Sequence, residues 1–199
     1  MRGATTTDVL ELPVEDLLDE LGRPDGRLAS GPVAALVAAM AAEIVAAAAA
    51  RSERHWDEAR GAAVQAHVLR LRAAPLASSD ARAFAEATEL LQGRAGGATP
   101  EYRDFALGRA LSRAAEVPLL IAQIAADVAA LAKDVAEHGA PEVRGDAAGA
   151  AVLAHAAAKA AAHLVEINLA TTSDDLRVMS ARSIAAAAGA WAEAAVALE

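Results

Sequence analysis

The segment GRPDGRLASGPVAALVAAMAAEIVAAAAA, residues 22–50, passes from a loop rich in Gly and Pro straight into a long run of small apolar residues. A glycine-rich turn ahead of a helix can cradle an anion on its free amides. It can equally be a plain helix start, since Ser and Gly suit the cap and Pro the first turn. Composition and capping favour the helix start, with Ser30 or Gly31 as the cap, Pro32 in the first turn and a helix reaching about Arg51. The stretch from Val33 to Ala50 is long enough for a bilayer, but it is mostly Ala, which partitions weakly, and Glu43 interrupts it. No membrane span is expected.

The same composition extends through the chain. Hydrophobic residues make up 55% and aromatics 3% of the 199 residues. Roughly three residues in ten are Ala, the best intrinsic helix former. No stretch alternates with period two for long enough to argue for a strand. The expected fold is all-α, an up-and-down-like bundle in a single domain spanning residues 1–199. Alanine at so many inward positions brings helix axes to the short end of the usual range of about 8–10 Å. A core so poor in large side chains gains little burial per residue, so a homodimer is expected.

The chain has no cysteine, which excludes disulfides, thiolate metal sites and a cysteine nucleophile and fits a reducing cytoplasm. Its net charge of −9 is spread along the chain and would repel a polyanion, so nucleic acid is not an expected partner. The acidic N-terminal stretch lacks the basic and apolar regions of a secretory signal. Arg far outnumbers Lys, which occurs only at Lys133 and Lys159; with the alanine content this is the composition of a bacterial genome of high GC content.

Start and stop signals predict seven helices. The first begins at Pro13 and turns Val14, Leu17, Leu18 and Leu21 inward; the second is the opening segment. A third, from Glu53 to Arg72, places Val64, Val68 and Leu71 on an inward face and ends before Pro75. Ser78 and Ser79 open a fourth, with Phe84 and Leu91 on one face, ending in GRAGGATP. The fifth runs from Thr99 to His138 and should kink or break at Pro118; Gly139 and Pro141 close it. The last two run from about Asp146 to Ala170 and from about Asp174 to Ala197.

Few residues carry obvious chemistry. Glu43 shares a stripe with Leu36 and Met40, so it is either a half-buried acid or the partner of an arginine. His155, Lys159, His163 and Glu166 fall on one face, but a lysine between two histidines argues against a metal, and a solvated face is favoured. Asp80 and Asp146 stand at predicted helix starts, where an acidic side chain caps free amides. Asn168, between Ile167 and Leu169, needs hydrogen bonds if buried and is a candidate for contacting a heterocycle or a carboxylate. No phosphate-binding loop, dinucleotide fingerprint, nucleophile elbow or zinc-protease motif occurs.

Four stretches in register resemble the cyclodeaminase/cyclohydrolase family, which comprises the C-terminal domain of formiminotransferase-cyclodeaminase and free-standing methenyltetrahydrofolate cyclohydrolases. SDARAF (79–84) is similar to the family's Asp-Ala-x-Ala-Phe, and AAEVPLLIA (114–122) to its Ala-x-x-Val-Pro-Leu. GAPEVRGDA (139–147) is similar to Gly-Asn-Pro-x-Val-x-Ser-Asp-Ala, and VEINL (165–169) to Val-x-Ile-Asn-Leu. The resemblance implies an all-helical homodimer acting on a reduced folate without a tightly bound cofactor or metal. It would either hydrolyse the methenyl bridge or close a formimino group into that bridge with release of ammonia. It implies Asp80 and Asp146 as catalytic groups, and Asn168, Ser30, Gly31, Arg54 and His55 as substrate-binding ones. Where the family has Pro-Gly-Gly-Gly-Ser, this chain has Leu28, Ala29, Ser30, Gly31 and Pro32; where the family has a Gly with several Lys, it has SERHWDE (52–58). Those replacements leave an alternative, a catalytically silent helical dimer that binds another small molecule or a protein.

Overall fold

The computed structural model describes residues 8–23, 28–92, 100–170 and 174–198. The N-terminal residues 1–7, residues 24–27 of the opening loop, and residues 93–99, with the loop expected there and the expected helix start at Thr99, lie outside the described residues. Among the described residues there are seven α-helices and no strand. They are α1 (Val14–Gly22), α2 (Ser30–Arg51), α3 (Ala59–Ala73), α4 (Leu76–Leu91), α5 (Pro100–His138), α6 (Arg144–Asn168) and α7 (Leu176–Val196). Short 3-10 turns cover Val9–Glu11 and Pro141–Val143. The all-α expectation holds. α5 and α6 form the central pair, α2 and α7 each pack against both, α3 covers α2, and α4 lies on α5 and α2.

Helix starts differ from the expected ones by local chemistry. α2 has Ala29 at its cap with no side-chain bond, so Ser30 is its first residue and Pro32 its third. A proline is tolerated there because the first four amides of a helix have no acceptor within it. α3 starts at Ala59 rather than Glu53. α4 starts behind Pro75, which carries Asp80 into the second turn instead of the cap. α6 starts at Arg144, leaving Asp146 in its first turn without a capping bond. α7 is capped by Asp175 rather than Asp174, its carboxylate accepting from the Arg177 amide at 2.9 Å.

The inward faces are the larger correction. Val64, Val68 and Leu71 are 61%, 47% and 52% exposed, while Ala62, Ala66, Leu69 and Ala73 face the core. In α1, Val14 and Leu18 likewise point outward; Leu17 alone of its expected inward residues packs against the core. Phe84 and Leu91 are exposed on α4. The core is chiefly alanine, and its largest fully buried side chains are Ile121 and a few valines. Helices that meet through Cβ methyl groups approach closely, and larger apolar side chains are left on faces that no other described residue covers. Three segments, Ser30–Arg51, Asp104–His138 and Pro141–Asn168, are long and apolar enough to cross a membrane, and half or more of each is buried inside the bundle.

Two polar joints lock the helices in register. Ser52, fully buried after α2, donates to the Ala48 carbonyl and accepts from the Ala140 amide, each at 2.9 Å. Gly139 permits that approach: a Cβ there would lie 2.4 Å from the Val135 carbonyl and 2.8 Å from the Ser52 hydroxyl. The second joint explains why α5 continues through Pro118 without a break. Proline has no amide to offer the carbonyl four residues earlier, that of Ala114. The Asn168 side chain, at the end of α6, supplies the missing donor, with Nδ2 2.8 Å from the Ala114 oxygen.

This bond makes a coupled prediction. Asn168→Ala should destabilise the protein by about 1–3 kcal/mol, the usual cost of leaving a buried carbonyl unsatisfied. In a Pro118→Ala background residue 118 regains its amide, and Asn168→Ala should cost much less; chemical denaturation of the four proteins measures the coupling. Equal costs in both backgrounds would sink the assignment.

Candidate functional site

Asp80 is the buried carboxylate of the described residues. It shares the inner face of α4 with Ala77 and Ala87, three residues before it and seven after it, and is 6% exposed. The carboxyl group rests against the first turn of α2. A Cβ placed on Gly31 would lie 2.0 Å from Oδ2 and 2.5 Å from Cγ of Asp80, so the carboxylate occupies the space a side chain at position 31 would need. No hydrogen bond or ion pair reaches Asp80 from another described residue. Burial alone acts on it, and raises its pKa to about 6. Gly31, Ser30 and Asp80 are therefore brought together, with Ser30 exposed at the uncapped start of α2.

The other expected site residues separate into two further places. Asp146 is exposed at the start of α6 and pairs with Arg51 at the end of α2, 2.5 Å between Oδ2 and Nη2. Arg54 and His55 are exposed in the turn just beyond. Twenty residues of helix separate Gly31 from Arg51, about 30 Å at 1.5 Å per residue. A single chain thus holds Asp80 at one end of α2 and Asp146, Arg54 and His55 at the other. Asn168 returns to the Asp80 end, because α6 runs antiparallel to α2, and there its amide is engaged with Ala114 across from Pro118. The grouping of Asp80, Asp146 and Asn168 around one reacting centre is not formed within one chain.

Two of the remaining candidates, Glu43 and Glu166, have structural partners. Glu43 meets an arginine: its Oε1 lies 2.6 Å from Arg70 Nε and 3.0 Å from His67 Nδ1. Glu166 holds Arg182 through both oxygens, at 2.9 and 3.0 Å. Among the described residues no three acidic or histidine side chains gather as a metal would require. A cavity of about 870 Å³ lies on the outer side of α4, between it and the N-terminal segment. Ser79 and Ala81, the neighbours of Asp80, are on its wall, with Asp16, Glu20 and Glu89 around it. Ser78 anchors that segment, accepting from the Val9 amide at 3.1 Å and donating to Asp8, whose pKa the bond lowers.

Sequence reasoning identified Asp80 and Gly31 separately but missed their contact. Ser52 was also missed; a serine just past the last residue of a helix carries no signal that it will be buried.

The chain matches the family model described as formiminotransferase-cyclodeaminase over residues 13–187. Its fold is similar to that in the crystal structure of formiminotetrahydrofolate cyclodeaminase from Thermotoga maritima, with a TM-score of 0.76 and 22% sequence identity, covering 96% of this chain and 94% of that one. No curated protein matches the sequence. The family match takes in α1 to α6, the Asp80–Gly31 contact and most of α7, and by it the chain belongs to the formiminotransferase-cyclodeaminase family.

Proposed function

We propose that this protein acts on the one-carbon unit of a reduced folate in the cytoplasm, with Asp80 moving the proton and no tightly bound cofactor. The observation that carries the reading is a buried carboxyl with a pKa of about 6, set against the one position of the α2 start that has no side chain. In hydrolysis of the methenyl bridge, water adds to the amidinium carbon and loses a proton as one C–N bond opens. In the cyclodeaminase reaction, a folate N–H attacks the formimino carbon and gives up its proton, and the amino group on that carbon takes up a proton and leaves as ammonia. Both need a group that exists as acid and as base near neutral pH, and a carboxyl at about 6 is such a group. Asp146, Arg54 and His55, about 30 Å away in the same chain, join this reaction only where a second copy brings its far end to Asp80. The proposed homodimer would also cover the outward Val64, Val68 and Leu71 face of α3.

Mixed with methenyltetrahydrofolate, the purified protein should speed the decay of its absorbance, or with the formimino compound speed its appearance. Asp80→Asn should lower either rate by about 10²–10⁴ while leaving the helical circular dichroism unchanged. Decay and appearance at buffer rates, with no folate binding, would overturn the reading.

The same carboxyl makes a pH prediction. An ordinary carboxyl in the unfolded chain ionises near 3.8, and Asp80 in the folded chain near 6. The folded state therefore holds the extra proton between these values, and its contribution, present below the lower one, is lost as pH rises through the upper one. Denaturant unfolding should show stability falling across this window by on the order of 2–3 kcal/mol, and Asp80→Asn should remove most of that slope.

The assembly is tested at α3. Val68→Glu should convert a two-chain species into single chains in light scattering, because it places a charge in an apolar contact; a wild-type protein that is already a single chain at micromolar concentration would refute the homodimer.

A further inference from the structure

α6 and α7 run antiparallel, joined at one end by the Glu166–Arg182 pair and at the other by His155 packed over Gly189. Between these contacts lies a groove of about 420 Å³ whose floor is Ala162, Ala185 and Ala186. His155, Lys159 and His163 form its edge, four residues apart on α6 and so spaced by about 6 Å each. Glu166 uses both carboxylate oxygens on Arg182. No described residue pairs with Lys159, whose ammonium has three donors and no acceptor. Gly189 is fitted to His155: a Cβ at that position would stand 3.1 Å from Nε2, so any larger residue would crowd the imidazole at the groove. On a chain of net charge −9 this is a local concentration of donors along one face of α6, over an apolar floor shared with α7.

We infer that this groove is a binding site for a small multivalent oxyanion, a di- or tricarboxylate or a phosphate. The ammonium of Lys159 is its central contact. The imidazoles of His155 and His163 flank it, each offering at least one N–H in either protonation state. The alanine floor shields these bonds from water on one side and strengthens them. The donors span about 12 Å, which favours an anion with more than one charged group. The site is separate from Asp80, which lies on α4 between α2 and α5.

The test uses the full chain with sodium phosphate, succinate and citrate at constant ionic strength, read by thermal shift and titration calorimetry. At least one probe should raise the melting temperature saturably. Lys159→Gln should raise its dissociation constant about tenfold or more, and Arg60→Gln, an exposed charge on α3, should leave it unchanged. A response to phosphate alone or to the carboxylates alone identifies the anion and supports the site. No saturable shift with any probe would overturn it, as would equal weakening by both variants, which would mean diffuse attraction. Asp80→Asn should bind the anion as the wild type does, so failure here and failure of the folate reading are distinguishable.

Discussion

The distance between helix axes in this bundle is set by alanine. α2, α5 and α6 meet through Cβ methyl groups along most of their length, with Ala34, Ala35, Ala38, Ala41 and Ala42 of α2 against the alanines of the central pair. Close approach multiplies weak dispersion contacts between backbones, but alanine faces are nearly featureless and do not by themselves choose a register. The register comes from a few polar points. Ser52 fixes the end of α2 against the turn after α5, and Asn168 fixes the end of α6 against Pro118. Each works because one partner lacks an atom: a Cβ at Gly139, an amide hydrogen at Pro118.

The same constraint separates what the sequence made legible from what it did not. Helix content, most helix ends and the stop around Gly139 and Pro141 follow from propensity and capping chemistry, which act locally. The inward face of α3 did not follow, because apolar periodicity ranks Val64, Val68 and Leu71 above Ala62 and Ala66, whereas close packing selects the smaller set. Asp80 looked like a helix cap because Ser78, Ser79 and Asp80 are good capping residues; Pro75 starts the helix a turn earlier and turns the carboxyl inward. Asn168 was rightly singled out as an amide that must find a partner, but that the partner would be the Ala114 carbonyl depends on α5 and α6 lying side by side.

The opening segment gains its meaning from the same arrangement. Against the Pro-Gly-Gly-Gly-Ser that the resemblance sets beside Leu28 to Pro32, only Gly31 matches, and it is the position that faces the Asp80 carboxyl. A loop used as a backbone cradle for an anion would need several amides free, and Pro32 removes one of them. A single glycine under a buried carboxyl needs only the absence of one methyl group. The glycine at position 31 is thus the one that the Asp80 carboxyl requires.

A buried, unpaired carboxyl is costly, and an alanine bundle has little large-side-chain burial with which to offset it. An asparagine of nearly the same size would avoid the ionisation cost at position 80. The fold therefore has no packing need for an acid there, whereas Ser52 and Asn168 each satisfy a particular backbone atom. Local strain and desolvation that the scaffold does not require are expected at sites of chemistry, where a shifted pKa is the property being used. That asymmetry, between polar groups that complete the fold and one that burdens it, is the physical reason for placing the proposed reaction at Asp80.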